Sequence, residues 1–393
     1  MSFKLATSTW DEKELEAIDR VVKSNNYTMG KEVFEAEKSF AQWNGSKYSV
    51  MVNSGSSANL LMVGALFYSK NSLINLKKGD EVIVPAVSWS TTYYPLQQYG
   101  MHLKFVDIDK ETLNYDVELL KDAISENTKL IMCVNLLGNP NSFDEIQNLA
   151  EDNNIIFIED NCESLGAKYN NKKTGTFGLV GSYSSYFSHH ISSMEGGFVN
   201  TDNEEIYHIM LSLRSHGWTR HLPQNNLVSG EKSSNEFEES FKFVLPGYNL
   251  RPIEFMGAIA SEQIKKLDAI ISGRRNNADK FMNIISQYPF FNFQKETHDS
   301  SWFGFSLICT NSLENKREAV LKIFSEEGID VRPIVGGNFT KNKVMQYMDF
   351  SIHNNLKNSD NLDSNGFFIG NHHYDMTKEL STLNRALERC KQL

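Results

Sequence analysis

Between Glu81 and Asp160 the chain alternates short apolar runs with helix-compatible stretches, and this rhythm limits the fold more than any other feature. Glu81-Val-Ile-Val-Pro85, Leu103-Lys-Phe-Val-Asp107, Leu130-Ile-Met-Cys-Val134 and Ile155-Ile-Phe-Ile-Glu159 read as strands, with Asp116–Ser125 and Asp144–Asp152 as helices between them. Parallel strands need crossovers of about a dozen residues or more, which helices usually supply. The pattern predicts an α/β chain whose mostly parallel sheet is covered by helices on both faces. Such sheets take their ligands in the loops beyond the carboxyl ends of the strands.

At 393 residues the chain is too long for one simple core. A long helical pattern starts near Ile253 and runs through Ala258, Ile264 and Leu267 past Phe281. A βαβ-like section follows: strands at Trp302–Cys309 and Ile329–Ile334 around a helix at Leu313–Glu327. The tail Thr377–Gln392 reads as an amphipathic helix. We divide the chain into a large α/β domain, residues 1–252, and a smaller α+β domain, residues 253–393, joined by the long helix. The polar stretches Gln224–Asn235 and Asn354–Asn365 read as surface loops that suit lids.

A formal net charge of −10 disfavours a general nucleic-acid binder but leaves room for a local phosphate pocket. The segment Met1–Trp10 lacks the apolar stretch of a signal peptide, and no apolar run is long enough to span a bilayer. The expectation is a cytoplasmic protein without membrane or nucleic-acid partners. Cys133, Cys162, Cys309 and Cys390 form no C-x-x-C pair, so neither a metal site nor an iron–sulfur cluster is expected.

Four segments carry chemistry. Asn53-Ser-Gly55-Ser56-Ser57 leads into a helix and offers N–H groups and hydroxyls that suit a phosphate; a plain helix cap is the other reading. Asp160 ends a buried strand, where a carboxylate needs either a positive partner or a capping role; Glu163 follows one short turn later. Trp89, beyond the strand at Pro85, either stacks on a flat ring or belongs to the core. Last comes Ser184-Ser-Tyr-Phe-Ser-His189-His190-Ile-Ser-Ser-Met-Glu-Gly-Gly197, where His189 stands five residues after a serine and no lysine occurs between Lys173 and Lys232. A near-neutral imidazole can both take and give a proton.

In chain order, Gly-Ser-Ser, then Trp89, then Glu-Asp160, then the serine five residues before His189, then Glu-Gly-Gly, the motifs resemble the DegT/DnrJ/StrS family of sugar aminotransferases, fold-type I pyridoxal-phosphate enzymes, from Tyr27-Thr-Met-Gly30 to Arg332-Pro-Ile and Gly337-Asn-Phe339. The family carries its cofactor-tethering lysine where this chain has His189. That exchange is similar to a small subgroup of sugar 3-dehydratases. A related subgroup with the same histidine holds an iron–sulfur cluster on closely grouped cysteines, which the scattered cysteines here do not supply.

The resemblance implies an aspartate aminotransferase-like fold with a seven-stranded type of large sheet. It implies pyridoxal 5′-phosphate or pyridoxamine 5′-phosphate as cofactor, its phosphate held by Gly55, Ser56, Ser57 and Ser184. Trp89 would stack on the ring, Asp160 would pair with its nitrogen, and Glu163 stands where aminotransferases usually have Gln or His. Asn249, in Gly247-Tyr-Asn249-Leu-Arg251, would cross a homodimer interface to the neighbour's cofactor phosphate. His216, Arg220 and Arg332 would face the substrate. The implied reaction removes the C3 hydroxyl of a GDP-linked 4-keto-6-deoxy-D-mannose on the way to colitose. His189 is its acid–base residue, and L-glutamate restores the amine form of the cofactor. An aminotransferase using a lysine from elsewhere, and a non-catalytic cofactor or sugar-nucleotide binder, are the competing readings.

Overall fold

Runs as uniformly apolar as Val82-Ile-Val84 must be covered on both faces, and here they form the middle of an eight-stranded sheet. The computed structural model describes residues 3–74 and 76–393. The sheet contains β1 (Tyr48–Val52), β2 (Glu81–Pro85), β3 (His102–Val106), β4 (Thr128–Val134), β5 (Ile156–Asp160), β6 (Gly181–Ser184), β7 (Gly197–Thr201) and β8 (Phe350–Ile352). Their order is β1-β7-β6-β5-β4-β2-β3-β8, and only β7 runs against its neighbours. Alternate residues feed opposite cores. Val82 and Val84 join Leu61 and Met62 of the helix Gly55–Phe67, while Ile83 joins Phe143 and Ile146 of the helix Phe143–Asn153.

The sheet differs from expectation by the strand β8, which comes from far down the chain and pairs in parallel with β3. Three residues on an outer position show no period of their own. A four-stranded sheet runs in the order Phe291–Asn292, Gly304–Cys309, Gly366–Gly370, Val331–Arg332. The strands read as a βαβ unit are therefore not neighbours, because Gly366–Gly370 lies between them and antiparallel to both. The stretch Asn354–Asn365, expected to be a loop, contains the helix Lys357–Asn365 with Ser359 and Leu362 buried. Its first turn is capped from another part of the chain: the Asp107 carboxylate accepts from Asn358 N at 2.7 Å and from Ser359 N at 2.8 Å. Gln224–Asn235 contains a short hairpin, Asn225–Asn226 with Gly230–Glu231.

The helix Glu254–Ile285 packs against the helices Glu12–Ser24 and Lys31–Asn44. Among the described residues, no helix is long and apolar enough to cross a membrane.

Parallel pairing puts the carboxyl ends of β2, β4, β5 and β6 on one side of the sheet. Because β7 is antiparallel to both β6 and β1, the end of β1 lies there too. A buried ion pair fixes this side at β1. Glu37 accepts from the Arg214 guanidinium and, at 2.8 Å, from Met51 N, while Arg214 donates to Met51 O at 2.7 Å. Removing one partner strands the other charge in the interior. Glu37→Ala is expected to lower the unfolding free energy by about 3–5 kcal/mol, read from urea denaturation of the full chain; a loss within the range of a surface substitution would contradict this.

Candidate functional site

The loops at the carboxyl ends bring together residues separated by more than a hundred positions. The helix Gly55–Phe67 starts there, N-capped by Ser54, whose hydroxyl accepts from Ser57 N at 3.1 Å. Its N-terminus offers N–H groups and a positive dipole end to an anion. A Cβ on Gly55 would lie 2.6 Å from Ser184 Cβ, so only glycine lets this turn close on the end of β6. The Ser57 hydroxyl donates to Asn53 Oδ1 at 2.6 Å, and the Ser56 hydroxyl donates to Thr91 at 3.0 Å. Gly55 thus closes on Ser184, and Ser56 ties the start of the helix to Thr91, two residues after Trp89.

Asp160 ends β5, buried. Its Oδ2 accepts from Asn59 Nδ2 at 2.8 Å and from Thr92 Oγ1 at 2.7 Å, and its Oδ1 accepts from Cys162 N at 3.2 Å. Ser182 Oγ in turn donates to Asn59 Oδ1 at 2.5 Å. Among the described residues no cation pairs with this carboxylate. All its donors are neutral, so its charge stays uncompensated and Oδ1 keeps room for another donor. Trp89 precedes the helix Ser90–Gln98 and is 59% exposed, which rules out the core reading; Thr92, three residues on, is the one that reaches Asp160.

Glu163 lies half-buried beside Asp160 and accepts from Leu137 N at 3.1 Å. Burial pushes its carboxyl up to about 7; the Leu137 N–H opposes the rise and the Asp160 charge adds to it.

His189 and His190 sit between β6 and β7 in a segment closed by Ser185 N to Gly196 O at 3.0 Å and Ser193 N to Ser185 O at 2.9 Å. Gln263, on the long helix, accepts from Ser192 N at 3.1 Å, and Trp10 Nε1 donates to Ser192 O at 2.8 Å. The His189 ring packs against Phe303, centroids 5.2 Å apart, and edge-on to Tyr186 at 6.0 Å; its buried Nδ1 has no partner among the described residues. Burial, then the Arg274 charge, hold His189 down to about 4, against the Tyr186 backbone hydrogen bond that raises it.

Of the residues expected to face substrate, His216 and Arg220 share one aromatic neighbour, while Arg332 lies on the four-stranded sheet. His216, at φ 60°, packs on Trp218 at 5.2 Å, and the exposed Arg220 guanidinium lies 4.4 Å over the same indole. A β-bridge joins Ser215 to Asn249, and Asn53 N donates to Leu250 O at 3.0 Å, so this loop runs beside the Gly55 turn. Asn249 itself is exposed and accepts from Arg251 Nε at 3.0 Å; within one chain it does not turn toward the turn's hydroxyls. Arg332 is exposed on the four-stranded sheet, its register partner being Phe368, whose ring reaches Phe303 at 6.4 Å.

The sequence reading missed Asn59, Thr92, Phe303 and Arg274. Asn59 left one signal, a lone amide inside an otherwise apolar helix; the other three left none that local spacing reveals.

The DegT/DnrJ/EryC1/StrS aminotransferase family matches residues 8–383 of the chain. The GDP-4-keto-6-deoxy-D-mannose 3-dehydratase of Yersinia pseudotuberculosis is 55% identical over 390 residues, 99% of this chain and 99% of that protein. Two solved structures are similar with a TM-score of 0.96 at 55% identity, covering 98% of this chain and 100% of theirs. One is a GDP-4-keto-6-deoxymannose-3-dehydratase with a trapped PLP-glutamate geminal diamine, the other a variant of such an enzyme with bound GDP-perosamine.

Titration of this region has a fixed sign. His189, His221 and His372 are each held down to about 4, by burial first and by neighbouring arginines second. Between 6.5 and 4 the unfolded chain therefore binds more protons than the folded one at these sites, and stability falls as pH drops. Glu163, held up to about 7, acts oppositely between 4.5 and 7. His190, His208 and His373 are lowered by burial as well, against Glu159, Glu163 and Glu296 raised by it, so with six histidines against three carboxylates the urea midpoint should fall as pH is lowered from 6.5 toward 4, and His189→Asn should make the fall shallower; an unchanged slope would contradict the assignment.

Proposed function

The chain belongs to the DegT/DnrJ/EryC1/StrS aminotransferase family, and we propose that it is a member that removes a hydroxyl instead of transferring an amine. The substrate in this reading is GDP-4-keto-6-deoxy-D-mannose, and the product is the corresponding 4-keto-3,6-dideoxy sugar, a precursor of colitose for lipopolysaccharide O-antigen. The observation that carries the proposal is His189: an imidazole stands where the family's lysine would tether the cofactor, while the rest of the site suits that cofactor.

The fit rests on three features. Asp160 is a buried carboxylate with neutral donors only, suited to a protonated pyridine nitrogen. Gly55 closes against Ser184 so that the helix N-terminus and the serine hydroxyls can cradle a phosphate. Trp89 presents an open indole face to the ring. Pyridoxamine phosphate, when bound there, supplies an amine for the sugar's 4-keto group and an electron-poor ring that makes the adjoining C–H acidic.

The protein's part is to hold this cofactor without a covalent bond and to move protons. His189 takes the proton from that C–H, then gives a proton to the C3 hydroxyl as it leaves. One imidazole thus serves as base and acid on one face of the sugar. Glu163, poised at about 7, faces the same site as a second titrating group. His216 and Arg220 meet the hexose or its diphosphate, Arg332 meets a phosphate, and the neighbouring copy's equivalent of Asn249 reaches the cofactor phosphate, so the working unit is a cytoplasmic homodimer. Residues 1–252 carry the cofactor, and residues 253–393, apart from β8 in the large sheet, form the smaller domain that backs His189. Over one cycle a glutamate becomes 2-oxoglutarate and ammonia, and its two electrons replace the C3 hydroxyl by hydrogen.

His189→Asn should lower dehydration by roughly 10²–10⁴-fold while cofactor binding, followed by its absorbance, stays close to that of the parent. A near-normal rate in that variant would overturn the assignment.

A further inference from the structure

Arg274 lies buried in the long helix Glu254–Ile285, and among the described residues no carboxylate pairs with it. Its guanidinium meets backbone carbonyls instead. Nη1 donates to Asn371 O at 2.8 Å, to Phe303 O at 3.0 Å and to Trp302 O at 3.5 Å, and Nε is buried without a partner. A buried cation without a carboxylate is costly, and an apolar side chain of similar size would fill the space without that cost.

The segment it clamps is the one the two histidines lean on. Trp302 stands at φ 47°, and Asn371 Nδ2 grips its carbonyl from the other side at 2.9 Å. Ser301 O accepts from His190 Nε2 at 3.0 Å, and the Phe303 ring packs against His189 at 5.2 Å and His190 at 5.9 Å. No carboxylate among the described residues orients His189, so the ring's place is set by this packing. The charged and titratable groups around the pair are Arg274 and Arg275 from the long helix, His190 and Tyr186 from its own segment, and His372 and His373 beyond Arg274.

Burial first, and the uncompensated Arg274 charge second, favour the unprotonated His189 ring. We infer that Arg274 is a positioning residue for the His189 base: its clamp on Trp302 and Phe303 sets the imidazole in place. This rests on the reading of His189 as the acid–base residue. The same charge makes the imidazolium, once formed, a strong acid toward the departing C3 hydroxyl.

The test combines histidine NMR with the pH profile of dehydration by the full-length holoenzyme, using Arg274→Gln, Arg274→Lys and, to assign the resonance, His189→Asn. In the parent, His189 should stay unprotonated well below 6.5. In Arg274→Gln its midpoint and the acid limb of kcat/KM should rise together by about one pH unit or more. Arg274→Lys, which keeps the charge but not the fork, should leave the midpoint near that of the parent and lower kcat.

A folded Arg274→Gln enzyme with the parent's titration and profile would overturn the inference. If that variant does not fold, Arg274→Lys decides: parent-like kcat overturns the inference, and reduced kcat with an unmoved midpoint supports it. An ordinary midpoint near 6.5 in the parent also overturns it. Dehydration that survives His189→Asn would instead sink the reading on which it rests.

Discussion

The buried, uncompensated charge of Asp160 is the constraint on which the site depends. A carboxylate at the end of an inner strand is tolerated because three neutral donors reach it from different elements: Asn59 from the helix Gly55–Phe67, Thr92 from the helix Ser90–Gln98, and the Cys162 N–H from its own turn. These bonds satisfy the oxygens without cancelling the charge. The carboxylate thereby joins the helix Gly55–Phe67 to the helix Ser90–Gln98 that follows Trp89, and in the proposed reading it keeps a negative charge where a cationic ring nitrogen would sit. Losing it would both loosen the loops and remove the reason for a cofactor to dock in one orientation.

Holding a cofactor by such contacts alone is what a histidine in place of lysine demands. In the proposed reading the imidazole cannot tether, so binding would fall to the Gly55 turn, Trp89 and Asp160, leaving residue 189 free for proton transfer. Its surroundings serve that division of labour. Gln263 and Arg274, both on the helix Glu254–Ile285, hold the two backbone segments that frame the histidine pair, at Ser192 and at Trp302–Phe303. The long helix is thus the common support for the segments that frame the histidine pair.

Elements were legible in the sequence where local pattern determines them. The four apolar runs appear as β2 to β5 within a residue or two, and the long helix starts at Glu254, beside the expected Ile253. Features that depend on distant partners were not legible. The helix Lys357–Asn365 is rich in Asn and Asp, which favour turns; it forms because Asp107, some 250 positions earlier, caps its first turn. The strand β8 has only β3 to define it. The site divides in the same way. Asp160, Trp89, Ser184 and His189 stand out by order and chemical oddity, whereas Thr92 and Asn59 take their meaning from a carboxylate 68 and 101 positions away. Arg274 could not be found from spacing, because its partners are backbone carbonyls.

The most direct test of the central claim is to incubate the purified protein with pyridoxamine phosphate, glutamate and GDP-4-keto-6-deoxy-D-mannose, following the sugar by mass spectrometry together with the ammonia released. The account predicts a sugar nucleotide lighter by one oxygen atom, with one ammonia and one 2-oxoglutarate formed per turnover and no repeated turnover without glutamate. A product carrying a new amine and no free ammonia would show amine transfer and contradict it.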